Sequence, residues 1–400
     1  MDIVDILKRK LLSFDYLLFI MVMGLCIFGI VAVGSATHIR QGGSTAEYDA
    51  QKLWVIAGAV LMLLAAFIDY NFICKFYILS YVVNIGLLLA VLLFGTTMST
   101  MNVTRSIDIA GFGVQPSEFA KVLMLVFMAR LVERLGPKGN NFFVLLSVLA
   151  AVALPVYLIM RQPSLSAAVV VLMISLVTMF LGGLSYKYVI STLAVGVPGI
   201  YFIAQDMLRE KPLFIDKFFS FFESYGILEY YQVYNRIIPF LKPEMADGAV
   251  VYQTMQSIRA IGSGQLTGKG LYEGTLNSLY YLPASHNDFI FAVIGEEFGY
   301  VGCICILAVL FVIIIKCIFI AYKSHNLSGK LIASGVAFML TFQTFVNVGV
   351  TMGILPNTGM VLPFISYGGS SMLVNMIAIG LVINVGMSKP EKTGLSLFEE

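Results

Sequence analysis

Pro283-Ala-Ser-His-Asn-Asp288-Phe-Ile-Phe-Ala-Val-Ile-Gly-Glu296-Glu297-Phe-Gly299 starts polar and turns apolar within five residues. The stretch reads as a loop entering a membrane helix, with Asp288 at the boundary and Glu296 and Glu297 about two turns inside. Acidic side chains inside a bilayer are costly, so those that are kept are paired or carry function. Asp288 also suits a helix N-cap, where Asp is favoured and its charge complements the helix dipole. For the two glutamates both readings stay open: structural pairing with a buried Arg or Lys, or a part in chemistry.

The chain around this stretch is of one kind. Of its 400 residues 59% are hydrophobic and 12% charged, against roughly 25% charged in soluble domains. With a mean hydropathy of +0.89, this is an all-α polytopic membrane protein, read as one integral membrane domain over residues 1–400. A net charge of +2 gives no reason to expect nucleic acid as a partner. Ten spans of about 20 apolar residues are predicted, at 17–36, 53–70, 76–95, 116–134, 143–160, 164–183, 188–205, 288–320, 331–352 and 368–387. The first has no small-residue cleavage site and is not a signal peptide. Residues 1–14 mix apolar side chains with Lys8, Arg9 and Lys10 and read as an amphipathic segment on the cytoplasmic membrane surface. Residues 206–287 form a large loop between spans seven and eight, without cysteine and so without an expected disulfide.

Orientation follows from the short loops. Lys8, Arg9, Lys10, Lys75, Arg130, Arg134, Lys138, Lys187, Lys323, Lys330, Lys389 and Lys392 fall on one side, and Arg40, Lys52, Arg105 and Arg161 on the other. The positive-inside rule then puts both termini in the cytoplasm and the 206–287 loop outside. Leu213–Tyr231 of that loop is rich in Phe and Tyr, which suits contact with the outer leaflet or a packed cap over helix ends. Ile261-Gly-Ser-Gly-Gln-Leu-Thr-Gly-Lys-Gly270 exposes many backbone N–H groups, a weak signal for anion binding.

Three more polar clusters stand out. Arg105 precedes Gln115-Pro-Ser-Glu118-Phe-Ala-Lys121, where Pro116 suits a helix start and Glu118 and Lys121 share a helix face. Arg161-Gln-Pro163-Ser164-Leu-Ser166 breaks and restarts a helix. Pro356-Asn-Thr-Gly-Met-Val-Leu-Pro363-Phe-Ile-Ser366-Tyr367-Gly-Gly-Ser-Ser371 places irregular backbone at membrane depth, as a cavity lining does. The histidines, His38, His286 and His325, are spread along the chain and give no metal-ligand constellation. A cavity with cations and acids facing a lipid leaflet suits an anionic lipid substrate.

Together, Gln115-Pro-Ser-Glu118, the 261–270 glycine loop, Ser285-His-Asn-Asp-Phe-Ile-Phe291, Gly295-Glu-Glu297 and the 356–371 motif resemble the SEDS family (shape, elongation, division and sporulation). They stand in the family's order, and the likeness spans all ten predicted helices. The resemblance implies a peptidoglycan glycosyltransferase of the bacterial cell membrane. Such enzymes polymerise lipid II at the outer leaflet beside a class B penicillin-binding protein, in elongation, division or sporulation. It places the catalytic acid on Asp288, as the base for a sugar 4-hydroxyl in an inverting displacement. It implies substrate binding by Arg105, Gln115, Glu118, Lys121, Arg236, Ser366 and Tyr367. The leaving pyrophosphate needs cationic stabilisation, for which Arg105, Arg161, Arg236, Arg259, Lys269 or a divalent ion, Mg²⁺ or Mn²⁺, are candidates. A lipid II transporter and a non-catalytic scaffold for a penicillin-binding protein are the alternatives. The sequence departs from the family's pattern at Ser106, where a Trp is usual, at Pro163-Ser-Leu-Ser166, where Pro-Asp-Leu-Gly is usual, and at Asn287, where Thr is usual.

Overall fold

The computed structural model describes residues 10–38, 46–98, 103–109, 112–136, 141–162, 164–183, 248–279 and 285–388, with a few further positions between 185 and 282. The segments 1–9, 213–231 and almost all of 188–205 lie outside the described residues.

Long apolar runs form helices because a bilayer demands that backbone polar groups pair within the segment. In chain order they are α1 (Tyr16–His38), α2 (Ala46–Phe67), the short α3 (Tyr70–Lys75) and α4 (Tyr77–Phe94). After a small sheet come α5 (Pro116–Leu135), α6 (Phe142–Met160) and α7 (Leu165–Leu181). The chain then adds α8 (Gly248–Ser263), the single turn α9 (Thr275–Ser278), α10 (Ile290–Lys323), α11 (Leu327–Thr351) and α12 (Gly369–Met387).

Among the described residues, seven helices are long and apolar enough to cross a membrane: α1, α2, α4, α6, α10, α11 and α12. Three of the ten predicted spans are outside that set. The 116–134 span forms α5 but carries five charges, Glu118, Lys121, Arg130, Glu133 and Arg134. The 164–183 span forms α7, of only 17 residues. The third is 188–205. The fold is all-helical in class, and a small sheet is added to it, in which Thr96–Met98, Val103–Ile109 and Phe112–Val114 pair antiparallel in the order β1-β2-β3. Thr, Val and Ile at these positions fit a pleated strand better than a helix.

The helix α12 is the core of the bundle: 89% of its apolar window is buried, against 17% for α4, which therefore faces lipid. Its widest contact is with α2. There Gly380 lets the backbones meet, since a Cβ would stand 2.3 Å from the Met62 carbonyl oxygen. One turn on, Asn384 donates to the carbonyls of Ala65, Ala66 and Ile68 and accepts from the Tyr70 N–H at 2.9 Å. That amide satisfies backbone freed where α2 ends and α3 begins. Near the far end of α10, Lys316 pairs with Asp15 at 2.7 Å and ties it to the start of α1.

Part of the large loop packs on the helical bundle. Residues 264–270 dock on α10 between Gly295 and Val301. At 1.5 Å per residue from Ile290, Val301 lies roughly 16 Å along that helix. The cause is a break in α10 itself. Gly299 has φ +65, a left-handed value that a side chain disfavours, so the helical ladder is interrupted there. Lys269 and Gly270 donate their N–H groups to the carbonyls of Glu296 and Glu297, and Tyr300 and Val301 donate to the carbonyls of Gln265 and Leu266.

Candidate functional site

Two irregular segments make the site, the turn into α10 and the loop from α11 to α12. In the first, Ser285–Phe289 forms turns and the helix begins at Ile290. The N-cap is Phe289, so Asp288 is not the cap that its position suggested. The Asp288 backbone is held from α11 instead: Asn347 Nδ2 donates to its carbonyl at 2.9 Å and to the Met360 carbonyl at 2.7 Å. A residue in the loop segment 356–364 thus shares one anchor with the turn into α10.

That loop engages the rest of the site through three consecutive residues. The Thr358 carbonyl accepts from Arg236 Nη1 at 2.7 Å. Gly359, with φ +71, faces the acid: a Cβ there would be 3.5 Å from Asp288 Oδ2 and 4.0 Å from Arg236 Nη1. Met360 takes the Asn347 bond. The carboxylate and the guanidinium therefore converge over Gly359. Burial holds the Arg236 guanidinium below its ordinary pKa, and the Asp288 charge opposes that shift.

Further along, Ser366 and Tyr367 act on backbone. Ser366 Oγ accepts from the Leu362 N–H at 2.7 Å, and the Tyr367 N–H donates to the His286 carbonyl at 2.9 Å. The His286 and Tyr367 rings meet edge to face with centroids 5.7 Å apart. Glu47 of α2 reaches His286 Nε2 at 3.6 Å, and Gln51 Nε2 donates to the Ser366 carbonyl at 3.4 Å. Burial first, then the Glu47 charge, raises the pKa of the Tyr367 hydroxyl, which keeps it a neutral donor. The fully buried Phe364 takes φ +66, rare for a bulky residue, and is fixed by packing on the backbone of α1 at Gly29.

The other predicted residues divide into groups. The Gln115 N–H donates to Ser370 Oγ at 2.8 Å, which joins the start of α5 to the start of α12 beside Ser366 and Tyr367. Glu118 and Lys121 neutralise each other, with Lys121 Nζ 2.8 Å from both carboxylate oxygens. The Arg105 side chain lies outside the described residues. Arg161 and Arg259 are exposed, and Ser106 and Ser164 are buried. Asp288, Arg236, Ser366 and Tyr367 are thus gathered by the two segments, and Gln115 reaches them through Ser370.

Two expectations need correction. Lys269 does not stand ready for a pyrophosphate: its Nζ lies 2.6 Å from Glu296 Oε1, and Glu296 is fully buried. Glu296 also accepts from the Thr275 hydroxyl and the Leu276 N–H, while Glu297 accepts from Ser35. The structural reading of the glutamate pair is the one realised. Nor are the 261–270 glycines an anion cradle, because the N–H groups of Lys269 and Gly270 are spent on α10 carbonyls. The glycines serve close approach: a Cβ on Gly268 would be 2.1 Å from the Glu297 oxygen. Sequence reasoning missed Asn347, Glu47 and Gln51. Asn347 is a polar residue within an apolar predicted span, a signal that the motifs overshadowed, whereas Glu47 and Gln51 precede the predicted 53–70 span in a polar stretch and gave no such signal.

Among the described residues, no group of three or more His, Cys, Asp or Glu is placed to hold a metal ion. Among the described residues, Arg236 brings a positive charge toward Asp288.

Fold and site together define a multi-pass membrane protein whose acid and cation meet among irregular segments between helix ends. Residues 15–391 match the family model of the FtsW, RodA and SpoVE cell cycle proteins. The chain belongs to this family, the SEDS peptidoglycan glycosyltransferases of bacterial membranes. It is 29% identical over 395 residues to the probable peptidoglycan glycosyltransferase FtsW of Trichlorobacter lovleyi, covering 95% of this chain and 96% of that one. It is 30% identical over 378 residues to the peptidoglycan glycosyltransferase MrdB of Escherichia coli K12, covering 93% of each. In fold it resembles a chain of a peptidoglycan synthase complex with a TM-score of 0.75, at 24% identity over 93% of this chain and 97% of that one. Thermus thermophilus RodA gives a TM-score of 0.64, at 24% identity over 93% and 96%.

Proposed function

We propose that the protein polymerises lipid II into glycan strands at the outer leaflet of the cell membrane, by an inverting displacement with Asp288 as the base. The convergence of Asp288 and Arg236 over Gly359 carries this reading. A sugar 4-hydroxyl is a poor nucleophile at neutral pH, and a carboxylate that takes its proton as the bond forms lowers the barrier. The new bond joins that oxygen to the anomeric carbon of the donor. The bond to the lipid pyrophosphate breaks on the opposite face, and the pyrophosphate leaves with the electron pair. A β product from an α-linked donor requires one such inversion and no covalent enzyme intermediate. Arg236 adds positive charge where the anionic leaving group departs. Gln115, Ser366 and Tyr367 hold the surrounding backbone in place, and the Glu118–Lys121 pair lies at the same end of α5. Arg105 belongs to the same reading by its family context.

The proposal takes ten spans, both termini in the cytoplasm, and a class B penicillin-binding protein as the partner that cross-links the strands. The likeness in fold to a chain of a complex that coordinates polymerisation and cross-linking supports that partnership. The test is polymer formation from lipid II by the purified full chain, with and without the partner and with Mg²⁺ or Mn²⁺, beside Asp288→Asn. Wild-type polymer and none from the variant is the expected result. Polymer at wild-type rate from a folded Asp288→Asn would overturn the assignment of the base. Movement of labelled lipid II across liposomes without polymer would replace it with transport.

A further inference from the structure

We infer that Asn347 is a positioning residue for the reaction, setting the Asp288 carboxylate against Arg236 through the backbone of Thr358–Met360. The inference rests on the assignment of Asp288 as base. Asn347 lies on α11, 1% exposed, one turn before the helix ends at Thr351. A primary amide has two N–H donors, and here one goes to Asp288 and one to Met360. Those carbonyls belong to segments 59 and 13 residues away in sequence, so one side chain fixes the distance between them. The orientation is dictated by the acceptors, since a flipped amide would set its oxygen against two carbonyl oxygens. Among the described residues, Asn347 Oδ1 is buried with no hydrogen-bond partner. The residue is therefore held through its two donors.

What the clamp controls follows from the three residues it holds. Met360 is bonded to Asn347, Gly359 faces the Asp288 carboxylate, and Thr358 holds Arg236. Shifting Met360 relative to Asp288 shifts the guanidinium relative to the carboxylate. Asn347 is itself braced: its carbonyl accepts from Thr351 Oγ1 at 3.1 Å, and the Thr351 carbonyl accepts from Ser257 of α8 at 2.7 Å. The rigid end of α11 thus references both the base and its partner cation to one point, as catalytic geometry demands.

The experiment uses the purified full chain and lipid II, comparing wild type, Asn347→Leu, Asn347→Ser and Asp288→Asn. Leucine matches the volume without a donor. Serine, which is smaller, covers the case in which the leucine variant does not fold. Both should lower kcat by about tenfold to a hundredfold, the size of effect that misplacing a catalytic group produces. The KM for lipid II should stay within about twofold, because the interaction lost acts on the transition state and not on binding. A folded Asn347 variant with wild-type kcat, or a loss seen only in KM or in melting temperature, would overturn the positioning role. With Asp288→Asn inactive, that outcome removes Asn347 alone. An active Asp288→Asn would remove the base assignment and this inference with it.

Discussion

Replacing Lys269 by Met tests whether the buried end of the Lys269–Glu296 pair dominates its energetics. Removing one partner of a buried ion pair costs about 3–5 kcal/mol, because an uncompensated charge is left inside. Here the figure must come down. Lys269 is 27% exposed, and Glu296 keeps the Thr275 hydroxyl and the Leu276 N–H as donors. The expected loss for Lys269→Met is about 2 kcal/mol. Glu296→Gln should cost less, about 1 kcal/mol, since the ammonium group left behind can turn to water. The double variant should be more stable than Lys269→Met alone, because the orphaned carboxylate is gone. In a chain of 400 residues the larger loss corresponds to about 2–4 °C in melting temperature. The assay is thermal unfolding of the purified protein in detergent, followed by the fluorescence of the only tryptophan, Trp54. Equal losses for the two single variants, or a double variant whose losses simply add, would refute the reasoning.

Gly359→Ala should fold at a cost of about 1–2 kcal/mol for the left-handed backbone while lowering kcat, since its methyl would lie 3.5 Å from Asp288 Oδ2. A wild-type kcat in lipid II polymerisation would show that the carboxylate does not use that face. Asn384→Leu removes the bonds to three carbonyls and one N–H at the junction of α2 and α3, and should cost about 2–3 kcal/mol. A melting temperature equal to wild type would show that the junction is held by packing alone.

Much of the helical frame was legible because a bilayer imposes one rule on every span: bury backbone pairs and present apolar side chains. The predicted and observed limits of the first, fourth and last of these helices differ by two residues or fewer. What escaped was backbone pairing that no side-chain pattern announces. The sheet at 96–114 needs partners in register, and only alternation and turn residues hint at it. The packing of 264–270 on α10 follows from the break at Gly299, and a glycine inside an apolar run reads equally well as a packing contact.

The site was legible in a similar, partial way. Prolines and glycines marked 356–371 as irregular, and an acid at a helix entrance marked Asp288. Neither showed that the two segments meet, because the contacts joining them run through carbonyls and N–H groups, which every residue has. The side chains that do carry the join are amides, Asn347 at the site and Asn384 at the α2–α3 junction. Both stand in apolar helices close to where another helix breaks or starts. A broken helix frees carbonyls at membrane depth, water is absent there, and an amide supplies two donors without adding charge. In these two cases an Asn in a membrane span points to a neighbouring break. In this chain, following Asn347 from α11 leads to the turn that carries Asp288.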